Sequence, residues 1–309
     1  MLNTPVLFLV FNRLEPTQRV FERIREARPK QLFIAADGPR PQHPTDAERC
    51  QAVREYLLAH IDWDCALHTL FRDQNLGCGQ AVSQAITWFF EHVPQGIILE
   101  DDTLPDPSFF YFCQTLLHHY QDDERVMHIA GTNFQFGRRI NSYAYYFSKY
   151  IHVWGWATWR RAWQKYTFEI TPDTPQWEGY LGTYHLSKAE KNYWLHILQQ
   201  LKTIDTWDYQ WFFSIWRNNG LSAVSNHNLI TNIGFDQEAT HTKIANNTAF
   251  LPTKRLDSII HPQLVLIDEV ADKHTFTRAI APNPTLSTRL KHRFSQVFRN
   301  ATNFRKNQP

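Results

Sequence analysis

Two hydrophobic periods alternate along the first 130 residues. Residues 6–11 form an unbroken apolar run of strand length, the pattern of a strand covered on both faces. Val20, Phe21 and Ile24 follow at helical spacing, with Pro16 near the helix start. Residues 32–36 are a second apolar run, ending at the turn signal Asp37-Gly38-Pro39. Thr45 and Glu48 have the spacing of a capping box and predict a helix reaching about His60. Residues 67–71 predict a third strand. Ala81, Val82, Ala85, Ile86 and Phe89 predict a third helix, and residues 97–99 a fourth strand. This βαβαβαβ order predicts an α/β fold with a mostly parallel sheet flanked by helices. Ligands of such sheets bind beyond the carboxyl ends of the strands.

The second half is less regular. Residues 126–130 predict another strand. Ser187 and Glu190 form a second capping box, opening a helix to about Leu201, and residues 209–218 predict a short helix ended by Gly220. Between Thr285 and Pro309 there are six basic residues (Arg289, Lys291, Arg293, Arg299, Arg305, Lys306) and no acidic one. Leu290, Phe294, Val297, Phe298, Ala301 and Phe304 recur there at helical spacing. A basic amphipathic helix on an anionic membrane surface and a solvated terminus both satisfy that pattern.

Composition narrows the class. A formal net charge of +2 over 309 residues argues against a general nucleic-acid binder. Cys50, Cys65, Cys78 and Cys113 lack paired metal spacing and are expected to be reduced thiols, as in a cytosolic protein. Neither a signal peptide nor an apolar run approaching the roughly 18 residues of a spanning helix is evident. The chain holds 11 Trp, 12 Tyr and 22 Phe, many between Phe109 and Trp216. A bulky core accounts for most of them, and a carbohydrate-binding surface is a second use.

The candidate chemistry gathers at the predicted strand ends. Glu100-Asp101-Asp102 directly follows the fourth strand, where buried carboxylates need a cationic partner. A hard divalent cation carrying a diphosphate takes such oxygen ligands. Asn12-Arg13, Asp37 and Arg72 occupy the ends of the first three strands. Asp37 has the acceptors to read a base imide N–H, or it is an ordinary turn residue before Gly38; Arg72 has the shape to stack on a base or pair with phosphate. Asn75-Leu76-Gly77-Cys78-Gly79 opens the third helix, with glycines for close approach and a helix terminus that favours anions. A dinucleotide fingerprint is absent. Asp208, between Trp207 and Trp211, is a candidate general base or a helix cap, with Asp205 as its rival.

The acidic triplet on this alternating pattern resembles GT-A-type glycosyltransferases. The segments at residues 5–13 (PVLFLVFNR) and 154–160 (WGWATWR) resemble a bacterial family of nucleotide-diphospho-sugar transferases, over roughly residues 5 to 274. The Glu-Asp-Asp form is similar to that of N-acetylglucosaminyltransferase I. The resemblance implies that Asp102 ligates Mn²⁺ or Mg²⁺, with His241 completing the metal shell and His227 a weaker alternative. It implies donor contacts from Asn12, Arg13, Asp37, Arg72, Asn75, Glu100 and Asp101, and a functional acid near Asp208. Trp154, Trp156, Trp207 and Trp211 are expected to shape the acceptor site, and Arg160-Arg161 to offset phosphate charge. The expected organisation is one domain over 1–274, with a nucleotide-binding half (1–130), an acceptor half (131–274) and a basic tail (275–309). The expected activity is metal-dependent, inverting transfer from a nucleotide sugar to a glycan or lipid-linked acceptor. It belongs to bacterial surface polysaccharide synthesis, in the cytoplasm or at the inner membrane surface, without nucleic acid. A sugar-nucleotidyltransferase is the enzymatic alternative, although its usual glycine-rich loop is missing from residues 12–16. A non-catalytic carbohydrate-binding protein is the other.

Overall fold

The computed structural model describes residues 1–235 and 248–281. The first elements alternate as the apolar pattern predicts: β1 (Val6–Val10), α1 (Leu14–Ala27), β2 (Gln31–Ala36), α2 (Asp46–Ala59), β3 (Ala66–Phe71), α3 (Gly77–His92) and β4 (Gln95–Glu100). They are followed by β5 (Thr103–Pro105), α4 (Ser108–His119), β6 (Val126–Ala130), β7 (Tyr145–Ser148) and β8 (Trp156–Trp159). Next come α5 (Arg160–Trp163), α6 (Thr174–Gly182), α7 (Lys188–Gln200), α8 (Asp208–Arg217), β9 (Leu221–Ser225) and β10 (Ile230–Asn232). α9 (Glu269–Thr275) runs into a π-helical turn, Phe276–Ile280.

One sheet carries eight strands in the order β3-β2-β1-β4-β8-β6-β9-β7. β1 pairs in parallel with β2 and β4, and β2 with β3. β8 runs antiparallel to both β4 and β6, so β6 and its parallel partner β9 share the direction of the first four strands. Only β7 and β8 are reversed among these strands. The sheet is mixed α/β, mostly parallel and flanked by helices. It also makes the proposed halves one body, because β8 and β6 continue the sheet that β4 would otherwise end.

Every residue of β1 is buried, as are most of β2 and β4. Apolar runs of this kind are stable because helices cover the sheet; α3 packs on β1, and α4 packs on β4, β6 and β8. Phe8, Phe33 and Phe89 are fully buried, and each such ring contributes about 1.5–3 kcal/mol relative to exposure.

The two predicted capping boxes fare differently. Ser187 caps α7 reciprocally with Glu190, with both hydrogen bonds present. Thr45 makes no capping bond: its backbone (φ −90°, ψ −8°) is helical, not the extended form that aims a cap side chain into the first turn. Asp46 instead turns its carboxylate outward from α2, to Asn12 at 2.8 Å and Arg40 at 2.6 Å.

The end of the described chain is fastened to the sheet edge. Asp272 on α9 is fully buried and accepts from the Ser148 hydroxyl and, at 3.0 Å, from the Lys149 backbone N–H. The buried Lys149 ammonium lies 3.1 Å from Glu190, which also accepts from the Tyr150 hydroxyl. All four cysteines are free thiols. Among the described residues no helix is long and apolar enough to cross a membrane.

Candidate active site

A cavity of about 600 Å³ opens over the carboxyl ends of β1, β2 and β4. The register pairs Leu9 with Glu100, so the segments leaving β1 and β4 face each other across the sheet top. That places Arg13 beside the acidic triplet. One guanidinium nitrogen, Nη2, donates to Asp101 and, at 2.8 Å, to Asp102. The turn after β4 is fixed by Thr103, whose hydroxyl accepts from the Glu100 N–H at 2.9 Å and donates to its carbonyl at 3.0 Å. β10 pairs with β5, and the Ile233 N–H donates to the Asp102 carbonyl at 2.8 Å. The 232–235 segment is thereby laid over the triplet. At Gly234 a Cβ would land on the Asp102 carboxylate, so any larger residue must displace that side chain.

Negative charge exceeds positive charge here. Burial raises the Glu100 carboxyl well above its ordinary range, and Asp102, Asp101 and Asp208 add repulsion that Arg13 only partly offsets. Burial raises Asp101 to about 6 despite the neighbouring guanidinium. Three carboxyl groups face one guanidinium, and oxygen donors of this kind suit a divalent hard cation. Glu100 and Asp102 are the residues that would hold it. No ready-made cluster of three or more metal-ligating side chains exists among the described residues, because Asp102 is turned onto Arg13.

The residues at the other strand ends reach the cavity, but several are already engaged. Asn12 is buried and donates to Asp46 at 2.8 Å, so its amide braces the loop before α2. The Asp37 carboxylate accepts from the Gly38 N–H (2.9 Å), the Asn75 amide (2.9 Å) and the Leu76 N–H (3.1 Å). Burial raises its pKa, against those bonds. Asn75 donates also to the Gly38 carbonyl at 2.8 Å. Asp37 and Asn75 thus form a structural clasp in the cavity wall, the turn role left open for Asp37. Arg72 lines the same wall, 3.3 Å from Gln84.

The amino end of α3 has an anion, but the anion is a side chain. Asp205 accepts from the Cys78 N–H at 2.9 Å and the Gly79 N–H at 2.8 Å. Gly77, at φ +79°, makes the turn that delivers these donors. Asp205 therefore serves as a remote cap, leaving Asp208 as the candidate base. Asp208 accepts from the Thr206 hydroxyl and, at 2.9 Å, from the Tyr209 N–H. It is near enough to Glu100 and Cys78, both of which line the cavity, to raise both groups electrostatically.

Of the four tryptophans, Trp154 lines the cavity, held edge-on between Phe134 (5.4 Å) and Phe235 (5.7 Å). Trp156, Trp207 and Trp211 are almost fully buried. Trp156 stacks between His128 and Trp207, and the Trp211 indole N–H faces His128 Nδ1 at 3.2 Å. Burial lowers His128 to about 3, so it is a neutral core group. These three rings are placed in the core and not in a sugar platform. Arg160 and Arg161 are placed away from the acidic triplet. β8 is antiparallel to β4, so its end at Trp159 meets Gln95, the opposite end of β4 from Glu100. Arg160 donates there to the Val93 carbonyl, and Arg161 to the carbonyls of Tyr120, Gln121, Asp123 and Val126. His227 bonds the Arg255 carbonyl at 3.0 Å. His241 and residues 285–309 lie outside the described residues.

Sequence reasoning did not find Arg40, Arg49, Asn232, Gly234 and Phe235, which also line the cavity. Arg40 carried no signal beyond its place after β2. Gly234, an isolated glycine after a short apolar run, was the available signal for a close approach.

No protein-family model matches the chain, and no curated protein does. Some solved structures are similar in part. A mannosyltransferase of Pyrobaculum calidifontis in complex with GDP-Man and Mn²⁺ is 14% identical, at a TM-score of 0.36, over 52% of this chain and 46% of that one. The chain thus spans less than half of that enzyme's length. S. aureus TarS 1–349 is 10% identical, at 0.42, over 72% of this chain and 58% of that one. The inositol-1-phosphate CTP transferase of T. maritima is 7% identical, at 0.39, over 73% and 86%.

Proposed function

We propose that the chain is a metal-dependent glycosyltransferase that uses a nucleoside-diphosphate sugar. The observation that carries this reading is the acidic triplet on β4, paired with Arg13 and opening into a cavity of about 600 Å³ at the carboxyl ends of parallel strands. In a parallel α/β sheet that is where a nucleotide ligand sits.

In this reading the diphosphate lies over the β1 and β4 ends, beside Arg13 and the carboxylates. The nucleoside extends over β2 and β3, along the wall made by the Asp37–Asn75 clasp and Arg72. Trp154 and the 232–235 segment close the far side and offer an apolar face for a sugar. Asp102 and Glu100 would hold Mn²⁺ or Mg²⁺, which would supply charge stabilisation for the departing nucleoside diphosphate. Asp208 takes the proton of the acceptor hydroxyl as that oxygen attacks the anomeric carbon, giving inversion. Asp101 positions the ribose or sugar hydroxyls. The acceptor is a glycan or lipid-linked saccharide of a bacterial surface polymer. The enzyme works in the cytoplasm or at the inner membrane face, with the basic segment 285–309 as its contact to anionic lipid. The domain runs over 1–274, its nucleotide half formed by residues 1–130.

Nucleotidyl transfer is the less favoured reading, because the loop after β1 is Asn12-Arg13-Leu14-Glu15-Pro16, with no glycine to cradle a triphosphate. A panel of nucleotide sugars, scored for Mn²⁺-dependent donor hydrolysis and thermal stabilisation, tests the proposal. One or a few donors should respond. Flat responses to every donor overturn it.

A further inference from the structure

We propose that Arg13 is a built-in stand-in for the divalent cation: it holds Asp102 while the site lacks donor, then moves to the donor diphosphate as the metal takes Asp102. The inference rests on the reading of the cavity as a metal and nucleotide site. It adds an order to that reading, in which metal and nucleotide enter as a unit.

Three observations converge. First, Arg13 contacts both carboxylates through the single nitrogen Nη2. A guanidinium has five N–H donors, and a bidentate grip on one carboxylate uses two nitrogens. Here Nη1 and Nε have no partner among the described residues, although the side chain is only 16% exposed and lines the cavity. Those donors match a second oxyanion, and a diphosphate is the one this cavity is built to admit.

Second, the two carboxylates are not equivalent. Asp101 is more deeply buried than Asp102, at 7% against 18% side-chain exposure. Arg13 can release Asp102 while staying on Asp101. Stripping Asp101 as well would strand a buried charge, which is costly.

Third, the charge arithmetic is unfinished with Arg13 alone. The triplet sets three carboxyl groups against one guanidinium, and a divalent cation would favour the ionised form of all three. A metal entering without nucleotide must push the guanidinium off Asp102, with no new partner for it. A metal entering with a diphosphate gives Arg13 that partner. Metal and nucleotide affinities are therefore coupled through Arg13, and by linkage the coupling is equal in both directions.

The test is Mn²⁺ binding followed by the electron paramagnetic resonance of free Mn²⁺, so no turnover is needed. It is run with and without whichever of UDP, GDP, CDP, ADP and dTDP most stabilises the protein, at equal free Mn²⁺. In the native protein the nucleotide should tighten Mn²⁺ about tenfold or more, within the usual range of such couplings. Arg13→Gln should bind Mn²⁺ alone roughly tenfold tighter than the native protein, with most of the coupling gone. A double variant, Arg13→Gln with Asp101→Asn, removes the stranded charge with its partner and keeps the comparison available if Arg13→Gln unfolds. Against Asp101→Asn alone it should show the same tightening. Native Mn²⁺ binding with equal or weaker binding in the Arg13 variants overturns the role of Arg13 and leaves the metal site standing. Absence of Mn²⁺ binding in every protein, with or without nucleotide, overturns both.

Discussion

Asp205 accepts a hydrogen bond at 2.8 Å from the backbone N–H of Gly79, which lies 126 positions earlier in the chain. With the second bond to Cys78, the carboxylate does for α3 what a local N-cap does for most helices, since the first N–H groups of a helix have no partner within it. It also fastens the loop before α8, which carries Asp208, to the half of the sheet that bears the triplet. Asp205→Ala should therefore destabilise the protein by about 1–2 kcal/mol, the cost of a lost cap. Asp205→Asn, which keeps an acceptor but not the charge, should lose roughly half of that. Urea denaturation measures both.

Asp208 has a different expected signature. Its carboxylate is held by Thr206 and the Tyr209 N–H, bonds that a carboxamide oxygen can also accept. Asp208→Asn should fold normally and bind Mn²⁺ with nucleoside diphosphate as the native protein does. Its transfer rate should fall by about 10²–10⁴, the usual contribution of a general base. Single-turnover transfer alongside nucleotide calorimetry separates the two effects. A variant with native transfer rates assigns the base elsewhere.

The parallel half of the fold was legible because its signals are local. Unbroken apolar runs gave β1, β2 and β4, and carboxylates after such a run sit at a strand end. The site's finer chemistry was not local. Nothing near Asp37 shows that Asn75 and the Leu76 N–H will occupy its oxygens, and nothing near Asn12 shows its bond to Asp46. Trp156, Trp207 and Trp211 looked like sugar platforms by residue type, yet their burial follows from β8 entering the middle of the sheet. That insertion also carries Arg160 and Arg161 to the end of β4 opposite Glu100. The Ser187–Glu190 box formed because Ser187 has the extended backbone (ψ 161°) that aims its hydroxyl into the first turn. Thr45 had the same spacing, but its backbone is helical (ψ −8°).

Gly234 offers a test of the lid over the triplet. A methyl group there collides with the Asp102 carboxylate, which must turn away from its present position. Gly234→Ala should weaken Mn²⁺-dependent nucleotide binding by about tenfold, about 1.4 kcal/mol. Thermal stability should change little, because the colliding atoms are the end of the Asp102 side chain, not backbone.

The Asp272 anchor predicts a pH dependence of stability. Burial pushes its carboxyl up to about 7, against the bonds from Ser148 and Lys149 that favour the anion. A raised carboxylate pKa means that the folded state binds more protons than the unfolded one between about pH 4 and 7, so stability falls as pH rises through that window. Asp272→Asn removes the titration. The variant should gain stability relative to the native protein between pH 5 and pH 8, on the order of 2–4 kcal/mol at one pKa unit per 1.36 kcal/mol. Denaturation midpoints at the two pH values give the answer directly.

The central claim is that Glu100, Asp101 and Asp102 hold a metal–nucleoside diphosphate complex. Calorimetric titration of UDP and GDP, each with Mn²⁺ and with a chelator, into the native protein and Asp102→Ala tests it most directly. The account predicts binding of at least one nucleotide in the presence of Mn²⁺, its loss on chelation and its loss in Asp102→Ala. Equal nucleotide binding by native protein and variant, or binding indifferent to Mn²⁺, would contradict it.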